Sequence, residues 1–174
     1  SAPQSFSDLN RISSSHHLRN IKSKKRLMRK AAHLFNIKSS KGIEFLVSSG
    51  IIADPVTPRS IASFLRNGIV VGLDKRAVGS YLGEIGKPAV AGKSPKVWER
   101  DWFHKEVLET YCSLFHFDRQ SLLDGLRMFL ACFRLPGEAQ QIDRILQAFS
   151  DSCGNLCEES ANGALKLFSN DPKR

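Results

Sequence analysis

An all-α fold of about seven short helices is what this sequence predicts, and three observations predict it. Apolar residues recur at three- and four-residue spacing through most of the chain, the period of a half-buried helix. Helix start signals stand at Thr57-Pro58 and at Asp74. The one passage that reads as a strand, Gly68-Ile69-Val70-Val71-Gly72, has no second strand to pair with.

Residues 1–15 are Ser-rich and poor in apolar side chains, so a flexible N-terminal segment is expected there, with the helical domain filling 16–174. Leu18, Ile21, Leu27, Ala31 and Leu34 follow at helical spacing among many cations. A break at 36–41 precedes a short helix through Gly42 to Val47, which stops before Gly50. Thr57 caps the next helix and Pro58 takes its first position, putting Ile61, Phe64 and Leu65 on one face. Asp74 caps another, with Val78, Tyr81 and Leu82 inward and Gly83 as its stop. From Ile85 to Pro95 the glycines and prolines spell a loop. Three longer amphipathic stretches come after it. The first starts near Glu99 and carries Val107, Leu108, Tyr111, Leu114 and Phe115. The second starts at Ser121 and carries Leu122, Leu126, Phe129, Leu130 and Phe133; the third starts near Glu138 and carries Ile142, Ile145, Leu146 and Phe149. These last two are expected to pack side by side. A polar stretch, 151–162, and a short apolar patch, 165–168, close the chain.

Of the 174 residues 41% are hydrophobic and 25% charged, which excludes wholesale disorder. No apolar run approaches the roughly 18 residues of a membrane helix. The opening residues hold charge and serine rather than the apolar core of a signal peptide. The first residue is Ser1 and not Met, so a piece of a longer protein is expected. Four cysteines make no disulfide framework at this length, which points to a reducing, intracellular setting.

The net charge of +9 is unevenly spread. Residues 1–41 hold ten Lys or Arg against the single acid Asp8, while the rest of the chain balances sixteen cations against sixteen acids. The segment around Lys24, Lys25, Arg29 and Lys30 has three readings: a solvated helix face, contact with an anionic membrane surface, or contact with nucleic-acid phosphates. No aromatic residue lies between Phe6 and Phe35, so the stacking partners of a single-strand binder are missing and nucleic acid is not expected.

Bond-making chemistry has no constellation to rest on. No glycine-rich phosphate loop follows a strand, and no serine or cysteine has a base beside it. Cys153 and Cys157 stand one helical turn apart without a second ligand pair, and His104 and His116 have no ligand spacing. No metal and no cofactor is expected. Cys112 and Cys132 read as small core residues.

One passage stands out. Phe133-Arg134-Leu135-Pro136-Gly137-Glu138-Ala139-Gln140 joins two strongly periodic helices, and Pro136-Gly137 is a turn dipeptide. By spacing alone it is a helix connection with an acid at the start of the next helix, favoured there by the macrodipole. The string FRLPGEAQ, followed by Gln141-Ile142-Asp143-Arg144, resembles the first signature motif of the Sec-seven domain, the exchange-factor domain for Arf-type small GTPases. Phe35-Asn36, Lys41-Gly42-Ile43-Glu44-Phe45-Leu46, Leu73-Asp74-Lys75 and Val78-Gly79-Ser80-Tyr81-Leu82-Gly83 resemble further elements of that family, over about residues 28–150.

The resemblance implies guanine-nucleotide exchange on an Arf GTPase, without covalent chemistry, through an invading carboxylate that falls on Glu138. It implies GTPase contacts from Phe133, Leu135, Pro136, Gly137, Ala139, Gln140 and Asp143. It also implies a cytoplasmic protein working peripherally at Golgi or endosomal membranes. The family's second motif, which forms the other wall of the GTPase groove, has no counterpart before Arg174, so the resemblance implies the N-terminal part of such a domain, a right-handed stack of helices, with an interaction scaffold that no longer exchanges nucleotide as the alternative.

Overall fold

Helix α1 (Phe6–Ile37) runs 32 residues because nothing in it breaks a helix. It contains no glycine and no proline, and its serines are only weakly unfavourable. The structure, a computed structural model, describes residues 6–88, 95–116 and 121–168, with side chains described over 20–88, 95–116 and 121–153. Of the segment expected to be flexible, residues 6–15 are helical and residues 1–5 lie outside the described residues.

The last turns of α1 bury Ala31, Ala32 and Phe35 against α2 (Ser39–Ser48), whose Ile43 and Leu46 point back at them. A single extended residue, Lys38 at φ −158°, makes the corner between the two. Thr57 then caps α3 (Pro58–Asn67): its side chain accepts a hydrogen bond from the Ser60 amide at 3.2 Å. Thr57→Ala should cost about 1 kcal/mol of unfolding free energy, read from a urea midpoint shift at constant slope.

The strand-like passage is one turn of 3-10 helix, Gly68–Val71, closed by Gly72 at φ +101°. Helix α4 (Lys75–Gly83) follows, capped by Asp74 Oδ1, which accepts from the Arg76 amide at 2.7 Å. Helix α5 (Asp101–Ser113) begins slightly later than expected, since Glu99 belongs to a short 3-10 turn before it. The loop from Ile85 is closed at its base: the Lys87 amide donates to the Glu99 carbonyl at 2.7 Å, and the Asp101 amide donates to the Lys87 carbonyl at 3.2 Å. Residues 89–94 of that loop lie outside the described residues.

Helix α6 (Leu122–Ala131) is capped by Ser121, and α7 runs from Ala139 to Phe168. Seven α-helices and no strand are thus present among the described residues. They are not uniformly short, however, since α1 and α7 are 32 and 30 residues long. The polar stretch 151–162 continues α7. Its Gly154 and Gly163 each cost only about 1 kcal/mol against alanine, which does not halt a helix on its own.

The core forms where α3, α4, α5 and α7 meet. Phe129 anchors one aromatic cluster, with Phe133 and Phe149 each 5.0 Å away and Phe115 5.2 Å away between ring centroids. Phe35, Phe64 and Tyr81 form a second, with edge-on contacts of 5.7 and 5.4 Å. Two expectations change here. Helix α7 packs chiefly on α5 and α4 and meets α6 through the Phe129–Phe149 stack, so α6 and α7 are not side-by-side partners along their lengths. Leu122 points outward at 67% exposure, and Phe133 enters the core from beyond the end of α6. Cys112 is fully buried, as expected, and Cys132 is half-buried and accepts a hydrogen bond from Arg66 Nη1 at 3.3 Å.

Candidate functional site

The connection between α6 and α7 alternates between anchored and bare residues. Phe133 is buried, its ring 5.0 Å from Phe129 and 6.1 Å from Tyr111, so it supports the loop from inside. Next, the Arg134 amide donates to the Lys75 carbonyl at 3.0 Å, which ties the loop to α4. Leu135 then turns outward at 39% exposure, an apolar side chain with no structural need to be there. Pro136 is half-buried, and Gly137 and Glu138 are exposed.

Glu138 immediately precedes α7. Its carbonyl accepts from the amides of Gln141 and Ile142, both at 3.1 Å, while its carboxylate has no hydrogen-bond or ion-pair partner among the described residues. Glutamate is a poor cap at this position, where a shorter polar side chain would reach back to the helix amides. The carboxylate stands at the positive end of a long helix and is directed to solvent, kept in place and chemically unused. Gly137 adds to this. A Cβ there would meet nothing within 4 Å, so neither packing nor a left-handed backbone requires a glycine, and the bare edge is open to whatever approaches.

The remaining expected contact residues, Ala139, Gln140 and Asp143, lie exposed on the first turns of α7. Gln140 sits between two depressions. On one side a cleft of about 820 Å³ is lined by Glu138, Gln140, Arg76, Glu84 and the α1–α2 corner. On the other a groove of about 890 Å³ between α5 and α7 is lined by Asp143, Gln147, Leu108 and the half-exposed Trp102.

Behind the loop lies a polar cluster that sequence patterning gave no sign of. Arg144 Nη1 donates to the Glu84 carbonyl at 2.5 Å. His104 is buried, with its Nε2 4.0 Å from Glu84 Oε2 and its ring 4.7 Å from the Tyr81 ring. Burial, followed by the positive charge of Arg144, holds the imidazole down to about 4. The Glu84 carboxyl is raised, chiefly by burial. Both are desolvation effects, which disfavour whichever form carries charge.

The cations expected to meet an anionic surface divide between two faces of α1. Lys22, Lys25, Arg26, Arg29 and His33 share the solvent face at helical spacing and are all exposed. Lys24 falls on the stripe of Met28, Ala31 and Phe35, and Lys30 rests its ammonium 5.0 Å from the Phe45 ring centroid. Among the described residues no group of three or more His, Cys, Asp or Glu is placed to hold a metal ion, and no helix is long and apolar enough to cross a membrane.

The family model of the Sec7 domain matches residues 24–171. The chain belongs to the Sec7 domain family. It is 38% identical over 135 residues to the ARF guanine-nucleotide exchange factor GNL2 of Arabidopsis thaliana, covering 78% of this chain and 9% of that protein. To cytohesin-3 of Homo sapiens it is 39% identical over 116 residues, covering 67% of this chain and 24% of that one. Among solved structures, that of ARF1-GDP bound to a Sec7 domain complexed with brefeldin A is similar at a TM-score of 0.57 and 33% identity. It covers 76% of this chain and 58% of the other. The Sec7p catalytic domain is similar at a TM-score of 0.56 and 35% identity, covering 71% and 58%. The chain thus spans a small part of its curated relatives and somewhat over half of the solved Sec7 domains it matches.

Proposed function

We propose that this Sec7 domain promotes GDP release from an Arf-type small GTPase, with Glu138 as the carboxylate that invades the nucleotide site. The observation that carries the reading is the unpartnered, solvent-directed carboxylate of Glu138 on a loop that is otherwise tied down. The names of the relatives, exchange factors for ARF, support the substrate class. A GTPase holds GDP through its β-phosphate, a lysine and Mg²⁺. A carboxylate entering that site repels the phosphate, competes for the lysine and displaces the metal. At an effective dielectric near 20, two unit charges 4 Å apart interact by roughly 4 kcal/mol, about three decades in an equilibrium constant. No bond is made or cleaved; the nucleotide-bound state is destabilised relative to the empty one. Leu135, Pro136, Gly137, Ala139, Gln140 and Asp143 form the contact surface around the carboxylate, and Phe133 holds it from beneath. The test is release of mant-GDP from an Arf protein by the full-length protein. A rate equal to the spontaneous one would refute the reading.

A second reading concerns α1. The stripe Lys22, Lys25, Arg26 and Arg29 has no ion-pair partner among the described residues and faces away from a neutral body. A straight row of cations suits a flat anionic membrane, where each is worth about 1 kcal/mol, and this would hold the domain peripherally at the surface where it works. Arg26→Gln with Arg29→Gln should weaken sedimentation with phosphatidylserine vesicles roughly thirtyfold and move unfolding free energy by under ~0.5 kcal/mol. Lys24→Gln with Lys30→Gln should weaken it far less. Equal losses from the two pairs would show that the stripe is not the contact.

A further inference from the structure

The Glu138 carboxylate has no partner among the described residues, yet the residues on both sides of it are fixed, and the fixing comes from one stripe of α4. Lys75 holds the corner that leads into the loop at two points. Its Nζ donates to the Ala131 carbonyl at 2.7 Å, one of the carbonyls that α6 leaves without a helical partner at its end. Its own carbonyl accepts from the Arg134 amide at 3.0 Å. One turn further along, Gly79 lets the Arg134 carbonyl lie directly on the helix: a Cβ there would stand 1.7 Å from that oxygen. One turn beyond that, Gly83 admits the first turn of α7, where a Cβ would stand 2.8 Å from Gln141 Cβ and 3.2 Å from Pro136 Cγ. Residues 75, 79 and 83 recur every four positions, so they share one helix face. That face touches 131, 134, 136 and 141 in turn, before and after Glu138.

The stripe is itself anchored. Asn36 Nδ2 donates to the Gly72 carbonyl at 2.9 Å, and the Asp74 amide donates to Asn36 Oδ1 at 2.8 Å, which fixes the start of α4 against the end of α1. At the other end, Arg144 of α7 binds the Glu84 carbonyl. A carboxylate that must enter a partner's site has to stay exposed, so packing against the side chain cannot orient it. Holding the flanking backbone solves this. We infer that α4 is the positioning element of the exchange loop, with Lys75 and the bare Gly79–Gly83 face as positioning residues for Glu138. The inference rests on the reading of Glu138 given above.

Positioning matters because a shift of about 1 Å in a reacting group can cost on the order of a hundredfold in rate. Two substitutions test the device separately. Lys75→Met removes the bond to Ala131 and leaves the rest of α4 intact; Lys75→Arg keeps a donor. Gly83→Ala pushes on Gln141, and Gln141→Gly in the same chain removes the atom it pushes. In this chain alone, amide hydrogen exchange over 132–138 should quicken about tenfold in Lys75→Met, with α3 and α5 unchanged. In the full-length protein, kcat for mant-GDP release should fall roughly tenfold in Lys75→Met and in Gly83→Ala, with KM for the Arf–GDP substrate held within about twofold. Lys75→Arg, and Gln141→Gly added to Gly83→Ala, should each return kcat to within about threefold of the parent. Parent kcat in Lys75→Met and Gly83→Ala, beside an inactive Glu138→Lys, would overturn the positioning role and leave the role of Glu138 standing. A rise in KM alone would overturn it too, by making α4 a docking support. Full activity of Glu138→Lys would remove the reading of that residue, and the positioning role with it.

Discussion

Glu138→Lys in the full-length protein should lower mant-GDP release from an Arf protein by about two decades or more while leaving the fold intact. The structural cost is small because the side chain has no partner among the described residues to lose. What changes is its interaction with the N-terminal dipole of α7, at most about 2 kcal/mol for a reversal of charge at an exposed site. The functional cost is large because the sign of the interaction reverses. In the proposed mechanism the carboxylate repels the β-phosphate, whereas an ammonium in its place would attract it, and the proposed docking surface of Leu135, Pro136, Gly137 and Ala139 would be untouched. The variant should therefore bind Arf–GDP and hold the nucleotide, giving a complex that co-elutes on gel filtration with GDP still present. Glu138→Asp should fall between the two, since it keeps the charge and loses ~1.5 Å of reach, about one C–C bond. Exchange by Glu138→Lys at the parent rate, or a complex free of GDP, would rule out the invading-carboxylate mechanism.

The features of this site that sequence reveals are the local ones. Thr57, Asp74 and Ser121 act on amides two or three residues away, so the starts of α3, α4 and α6 are written in short words. The faces of α3, α4 and α5 follow from apolar spacing, and Ile61, Leu65, Val78, Tyr81 and Tyr111 are all buried accordingly. Helix length is harder to read. Serines in α1 and the polar run in α7 look like linker by composition, yet neither contains a proline, and propensity penalties of under about 1 kcal/mol per residue do not stop a helix. Phe133 is hard to place for a different reason. Its spacing continues the periodicity of α6 and its motif suggests contact, but the helix ends at Ala131 and the ring turns back into the Phe129 cluster. The α4 stripe is the least legible part. Gly79 and Gly83 are visible in the Val78–Gly83 string, whereas what they make room for, Arg134 and Gln141, comes more than fifty residues later and only the tertiary structure brings it there.

His104 should make the domain sensitive to mild acid. Its imidazole is nearly enclosed, at 5% exposure, between the Tyr81 ring, the Glu84 carboxyl and the Arg144 side that reaches the Glu84 carbonyl. Burial and the Arg144 charge lower it to about 4 from 6.5, and the polar backbone of Tyr81 and the charge of Glu99 only partly oppose this. The unfolded chain takes up the proton first as pH falls, so the neutral folded state loses ground. The contribution of His104 is fully present above 6.5, declines between 6.5 and 4, and levels off below that. Between about pH 7.5 and about pH 5 the loss should be about 2 kcal/mol, approaching about 3 kcal/mol at the lower limit. Glu84 works in the opposite direction, because its raised carboxyl takes up a proton more readily in the folded state, and it trims the slope where it titrates. Urea unfolding of the parent and of His104→Gln at the two pH values measures the difference directly. The parent should lose about 2 kcal/mol more than the variant over that range, whatever the variant's stability at neutral pH. Parallel losses in the two proteins would mean that the imidazole is solvated or already charged in the folded state, and that the acid sensitivity lies elsewhere.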